Sequence, residues 1–336
     1  MLKKLPIAEL VALAIFMAVP LFLKDNYFLH LFILFLIWVV IGSSWNIFAG
    51  YTGQVSFGHA AFFGAGAYAA GLLVQHFGYS AWWGMALGGP VAVLIGLPFG
   101  IICFPLRGAY FTLASLALNL ILMHVATIAE SFTGGMQGIM IMPSFVSKVP
   151  YYYIALTIAV ATLIVVNYIV RSKLGYYFVS IREDQDAAES LGINSTLYKN
   201  ISLGISVFFT GTAGALYMNY MGFIDPSVVF SLSDYSIMAI LVAIVGGVGT
   251  VYGPAVGAFI MVAVNEFFRS GFFGFLGFIG KHTDSPSVSK ALEVVTHAHV
   301  LVFGILVVVV ILFLPNGVVG DWEKIRRKVF RIKPTE

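Results

Sequence analysis

Charged side chains are scarce in this chain. Of its 336 residues only 33 carry a formal charge, 18 Lys or Arg and 15 Asp or Glu, while 60% are apolar. An average soluble domain is about 25% charged. A folded chain of 36.4 kDa cannot build a polar skin from so few groups without exposing far larger apolar patches than soluble monomers carry. A soluble enzyme is excluded. The scarcity is also uneven, because 81 consecutive residues between Asp25 and Arg107 contain no Asp, Glu, Lys or Arg. That run has room for about three membrane-crossing helices and their turns. Cysteine is nearly absent too: Cys103 stands alone in an apolar run, which excludes an intrachain disulfide or a multi-cysteine metal site and leaves it as a small buried hydrophobe. No GxxxxGK[ST] pattern occurs, so the chain has no phosphate-binding loop of that kind. No Lys/Arg face is interleaved with aromatics, so the net charge of +3 does not point to nucleic acid.

What is present is apolar sequence in lengths that cross a bilayer. A spanning helix needs about 20 mostly apolar residues, and dividing the chain at its charge, Pro and Gly clusters predicts ten spans, at 6–23, 27–49, 59–77, 82–105, 108–130, 151–170, 200–221, 234–250, 251–269 and 296–315. The first, preceded by Lys3 and Lys4, has the look of a signal peptide, but no small-residue cleavage site follows and the next span begins almost at once. The expected fold is an all-α integral membrane bundle in one domain, 1–320, with a short basic tail, 321–336. Basic residues near span ends are retained in the cytoplasm. With ten spans and both termini inside, 13 of the 18 basic residues face the cytoplasm, in Lys3, Lys4, Arg107, the loop 171–199 and the tail. The tail reads as an anchor to anionic lipid headgroups.

Three segments carry specific signals. In Gly50-Tyr-Thr-Gly-Gln-Val-Ser-Phe-Gly-His59 and on to Tyr68, small residues at Gly50, Gly53, Gly58, Gly64, Gly66 and Ala67 let backbones approach closely or leave the helix. Inside a membrane this is tolerated where protein packs around it or where it lines a water-filled cavity. The segment therefore reads equally as lining for a pathway or as tight packing, with Gln54 and Ser56 among its polar members. His59 reads as a hydrogen-bonded packing residue, because no second metal-ligand side chain stands at i+3 or i+4; no metal or catalytic group is assigned. A second glycine cluster, with Gly246, Gly247, Gly249 and Gly253, reads as a tight turn between two spans. In the loop 171–199, Ile181, Ala187, Ala188 and Leu191 recur at helical spacing beside Asp184 and Asp186, so a short amphipathic helix ended by Gly192 is expected. It is too short to be stable alone and its small apolar face asks for a cytoplasmic partner. Charges near span ends (Glu130, Asp234, Glu266, Arg269), and His124 deeper in its span, are expected to be structural. The near absence of buried charge argues against ion-coupled transport.

The run Asp186-Ala-Ala-Glu-Ser-Leu-Gly192 resembles the Glu-Ala-Ala-x-x-x-Gly loop of bacterial ABC importer permeases. The wider pattern from Ile181 through Ile193 to Gly211-Thr-Ala-Gly-Ala-Leu-Tyr217 is similar to the branched-chain amino acid permease family, in its LivM-like branch. So are Gly50 to Phe63, Thr133-Gly134-Gly135 with Gly138, and Gly246 to Pro254. Asp186 replaces the general motif's Glu, and its distal Leu-Pro is absent. The resemblance implies a multi-pass permease of the bacterial inner membrane. It would pair with a second permease chain, two cytoplasmic ATPase subunits that carry ATP and Mg, and an extracytoplasmic solute-binding protein. This chain would hold no cofactor of its own. Arg182, Glu183, Asp184, Asp186, Ala187, Ala188 and Gly192 would be the ATPase contact. A urea or short-amide importer is the alternative within the family; an ion-coupled secondary transporter and an intramembrane enzyme are those outside it.

Overall fold

A computed structural model of the chain describes residues 7–22, 25–267, 304, 308, 312 and 316–321. Nearly all of its elements are helices: α1 (Ile7–Phe22), α2 (Asn26–Trp45), α3 (His59–Phe77), α4 (Ala81–Cys103), α5 (Ala109–Ile128), α6 (Glu130–Thr133), α7 (Lys148–Val170), α8 (Lys173–Glu183), α9 (Gln185–Ser190), α10 (Ser195–Met221), α11 (Pro226–Val229), α12 (Met238–Gly246) and α13 (Gly253–Glu266). α2 runs on through a wide turn, Asn46–Gly50, and α12 is entered through another, Leu232–Ile237. The strands β1 (Ile139–Met140) and β2 (Phe223–Ile224) pair antiparallel, Ile139 opposite Ile224.

Seven helical stretches among the described residues are long and apolar enough to cross a membrane: 26–50, 59–77, 81–103, 109–128, 148–170, 195–221 and 226–246. The chain is thus an integral membrane helix bundle. Two of the expected spans are described only in part, α1 over 16 residues and α13 over 14, each next to residues outside the description. All of the expected span 296–315 but residues 304, 308 and 312, and with it Lys3, Lys4, Arg269 and the basic tail after Asp321, lie outside the described residues. The expected start at 234 is corrected to Pro226. Asp225 accepts from Val228 N at 3.0 Å and Ser231 from Asp234 N at 3.2 Å, so each caps a helical start, and helix begins eight residues earlier than the apolar pattern alone implies.

The centre is a triad of α3, α4 and α10 in backbone contact. A Cβ on Gly66 would fall 2.0 Å from the Gly211 carbonyl oxygen, one on Gly214 2.0 Å from that of Phe63, and one on Gly88 2.5 Å from the Ala215 Cβ. Small residues let helices approach this closely, and in a bilayer such packing replaces the hydrophobic drive that water would supply. α2 packs on α7 and on the α12–α13 hairpin, and α1 leans on α7.

Side-chain links sort the connections into two ends. At one end Arg107 pairs with Asp186 at 2.8 Å, Arg182 reaches the Gly50 carbonyl, and Asn46 binds the turn 247–252. At the other, His76 bonds Phe132 O, β1 pairs β2, and Lys148 donates to Asn26 O. Gly134 and Gly135, with φ of 75° and 55°, belong to this second end.

Candidate functional site

Three of the sequence signals meet at the first end. The side chain of Asn46 is fully buried in the last turns of α2. Its Nδ2 donates to Thr250 O at 2.8 Å, and its Oδ1 accepts from Gly249 N at 2.8 Å. Both hydrogen-bonding functions of the amide are therefore spent on the 247–252 turn. A Cβ at Gly50 would fall 2.2 Å from Asn46 Oδ1 and 2.8 Å from Gly249 N, so only glycine fits where the two segments cross. Gly246 and Gly253 face each other across the same hairpin, a Cβ on the first falling 1.8 Å from the carbonyl oxygen of the second. Gly247 and Gly249 take positive φ there.

Arg182 joins the loop to this crossing. Its Nη1 donates to Gly50 O at 2.9 Å, while Nε and Nη2 both donate to Glu183 Oε1 at 3.0 and 2.5 Å. A Cβ on Gly53 would lie 3.0 Å from Arg182 Cγ, and one on Gly249 3.2 Å from its Nη1. The planar fork thus holds the loop to the end of α2, packed against the α12–α13 turn at Gly249.

The loop itself departs from the expected single amphipathic helix. Asp184 is extended (φ −155°, ψ 109°) and accepts from Ala187 N, so it caps α9 and breaks the helix between Glu183 and Gln185. Ile181 ends up on α8, buried with Ala188, while Ala187 and Leu191 face outward, Leu191 83% exposed. Gly192 (φ +85°) closes α9, with Ile193 N bonded to Ala188 O at 3.1 Å.

The segment 51–58 is non-helical beyond Thr52, with its polar backbone paired inside the protein. Phe57 N donates to Ser115 Oγ at 3.0 Å and Trp45 Nε1 to Ser56 O at 2.9 Å. Gly58 packs against the Ser115 carbonyl. Gln54 is half-buried, its Nε2 3.4 Å from Thr52 O. His59 is fully buried between Ser206 Oγ at 2.9 Å and Ser56 Oγ at 3.3 Å. Gly64 accommodates the Phe230 ring, which a Cβ would meet at 2.3 Å. Among the described residues no cluster of His, Cys, Asp and Glu is arranged to hold a metal.

The profile of the family described as "Branched-chain amino acid transport system / permease component" matches residues 27–316. The chain belongs to this family. It is 27% identical over 264 residues to the high-affinity branched-chain amino acid transport system permease protein LivM of Salmonella typhimurium, and 26% identical over 264 residues to LivM of Escherichia coli. Each match covers 70% of this chain and 62% of the relative, so the chain aligns with under two thirds of the length of these relatives. No solved structure matches it. As a member of this family with seven helices of crossing length among the described residues, it is a bacterial inner-membrane protein.

The permease also has a clamp that the sequence did not advertise. Gln185 at the start of α9 donates to Glu189 at 2.8 Å and accepts from Lys199 Nζ on α10 at 2.7 Å. Ser195 donates to Glu189 as well. Lys199, 1% exposed, sits 5.9 Å above the Phe104 ring. The Ser195 hydroxyl, then Gln185, holds the Glu189 carboxyl below its ordinary value. A lowered folded value means this link is present above the unfolded pKa and is lost as pH falls through the folded one. Asn46 was missed for a different reason: in sequence it is one amide inside an apolar run, and its only signal is the cost of leaving such a group unpaired in a bilayer.

Proposed function

We propose that the chain is the membrane-spanning permease subunit of an ATP-driven importer for branched-chain or related neutral amino acids. In this reading it forms the solute pathway with a second permease chain. An extracytoplasmic binding protein delivers the solute, and two cytoplasmic ATPases, which carry ATP and Mg, drive the cycle. It has ten spans with both termini in the cytoplasm, so the end bearing α8 and α9 faces inward. The domain is 1–320, and 321–336 is a lipid-anchoring tail.

The observation that carries this reading is the placement of α9. Just before it, Arg182 of α8 ties the loop to the Gly50 end of α2, and Gln185 ties α9 to Lys199 of α10, yet Ala187 and Leu191 are presented outward, one helical turn apart. A small apolar face with rigid attachments suits a groove on an ATPase that pushes. Arg182, Glu183, Asp184, Asp186 and Gly192 frame that face. Ala188 has a different part, because it is 3% exposed and seats α9 on the bundle.

The test is co-purification of the ATPase subunits with the permease in detergent. Ala187→Glu combined with Leu191→Glu is expected to abolish association while the permease remains inserted and monodisperse. Full co-purification of the double variant would refute α9 as the contact. Ala188→Glu is expected to lower the yield of folded permease instead. The solute class is read by uptake into vesicles: leucine uptake that needs ATP supports the reading, urea uptake moves the assignment to an amide importer, and uptake that survives ATP depletion but collapses with the ion gradient assigns a secondary transporter.

A further inference from the structure

Asp234 was expected at the end of a span, within reach of interfacial water. It is instead the ninth residue of the stretch 226–246, and its neighbours fix its depth. Tyr235 stacks on Phe63 at 4.0 Å and on Trp38 at 5.8 Å, and Ser236 Oγ accepts from Ala60 N at 2.9 Å. Just before it, Phe230 stacks on Tyr68, midway along α3, and its carbonyl accepts from Asn119 Nδ2, midway along α5, at 2.9 Å. Asp234 thus lies well inside the depth of the bundle. Its side chain is exposed, and the Ser231 hydroxyl donates to it at 2.6 Å. Among the described residues no Lys, Arg or His pairs with it. A carboxylate at such depth does not face lipid; it faces a water-filled cavity or another protein surface.

The polar groups around it favour a partner that brings a positive charge. Asn119 is 1% exposed, and with its Nδ2 committed to Phe230 O its Oδ1 is left without a partner. That amide lies within hydrogen-bond reach of the peptide joining Phe230 to Ser231, so an unpaired acceptor sits beside the turn that carries Asp234. Ser231 and Ser233 hydroxyls lie 3.2 Å apart on the same turn. The set is rich in acceptors, the complement of a group with three N–H donors and a positive charge. We propose that the Ser231–Asp234 turn, held in place by the buried Asn119 amide through Phe230 O, is the point in the pathway that receives the α-ammonium group of the solute. It rests on the amino acid importer reading above and adds the group that is recognised. A single carboxylate on an open, hydrated face holds an ammonium weakly enough to release it, as passage requires.

The test uses the full complex reconstituted in vesicles with the binding protein, ATP and tritiated leucine. Asp234→Asn keeps the side chain's shape and its ability to accept from Ser231, so a purely local role survives the change. The variant is expected to assemble and hydrolyse ATP at the wild-type basal rate while leucine transported per ATP falls about ten-fold, which corresponds to roughly 1.4 kcal/mol; Asp234→Glu should restore most of it. Unchanged leucine per ATP in Asp234→Asn overturns the proposal. So does loss of the second permease chain from the complex, which would assign Asp234 to that interface. Wild-type vesicles that take up no leucine would instead overturn the importer reading on which it rests.

Discussion

Gly214→Leu is expected to leave almost no folded permease. A Cβ at this position falls 2.0 Å from the Phe63 carbonyl oxygen and 2.8 Å from its carbon, and both belong to the backbone of α3. A side-chain tip could swing aside, but a helical carbonyl cannot without moving the helix. Overpacking costs about 1–3 kcal/mol where neighbours can yield, and more where they cannot. Here the neighbour is a rigid element of the α3–α4–α10 triad, so the cost is comparable with the whole stability of a typical domain, roughly 5–15 kcal/mol. Gly204→Ala supplies the contrast on the same helix. Its Cβ would meet only Leu97 Cδ2 at 3.2 Å, and alanine is better than glycine in a helix by about 1 kcal/mol. Size-exclusion profiles and thermal melts in detergent should show Gly204→Ala at or above wild type and Gly214→Leu aggregated. A monodisperse Gly214→Leu with a normal melt would refute close backbone packing of α3 and α10.

The second large effect falls on Arg182. Alanine there should cut solute uptake by about ten-fold or more while the assembled complex keeps hydrolysing ATP. The charge-assisted bond to Gly50 O is of the kind that contributes about 1.5–3 kcal/mol, lowered here because the side chain is 36% exposed and solvent screens it. Stability would change little. What is lost is the mechanical link, because among the described residues no other side-chain hydrogen bond ties the loop to the end of α2. Arg182→Lys should rescue poorly: an ammonium is a point donor and cannot hold the Glu183 carboxylate and the Gly50 carbonyl in the plane of one fork. Uptake and ATPase rates measured on the same vesicles decide it, and parallel loss of both, or of neither, would remove Arg182 as a link.

The spans were legible wherever charge or glycine punctuates the apolar runs. α3 matches its expected limits, and α2, α4 and α5 agree within a few residues, because Asp25, Gly78, Arg107 and Gly108 stop or start helices for local reasons. The start of the stretch 226–246 was not legible, since Asp225, Pro226 and Ser231 look like loop residues until the capping bonds of Asp225 and Ser231 are seen, and this put Asp234 at the wrong depth. The break at Asp184 hid for the same reason: an acidic residue within a helical pattern reads as surface unless its backbone is known to be extended. The glycine clusters were visible one by one. Their meeting was not, because Arg182 and Gly50 are 132 residues apart and Gly249 and Asn46 are 203 apart; spacing within a motif holds no information on which distant motif it will touch.

The seat of α1 bears on how the protein is made. Its cross-helix hydrogen bonds come from α7, where the hydroxyl of Tyr152 donates to Phe16 O at 2.6 Å and that of Tyr153 to Met17 O at 3.3 Å. Those partners lie 136 residues apart, and ribosomes add about 5–20 residues per second. On the order of ten seconds therefore separates the synthesis of α1 from that of the tyrosines that fix it. During that interval the first helix has its early-made neighbour α2 to lean on, with Phe16 stacked on Phe35, but not the tyrosine bonds, a half-built state that the membrane insertion machinery has to tolerate.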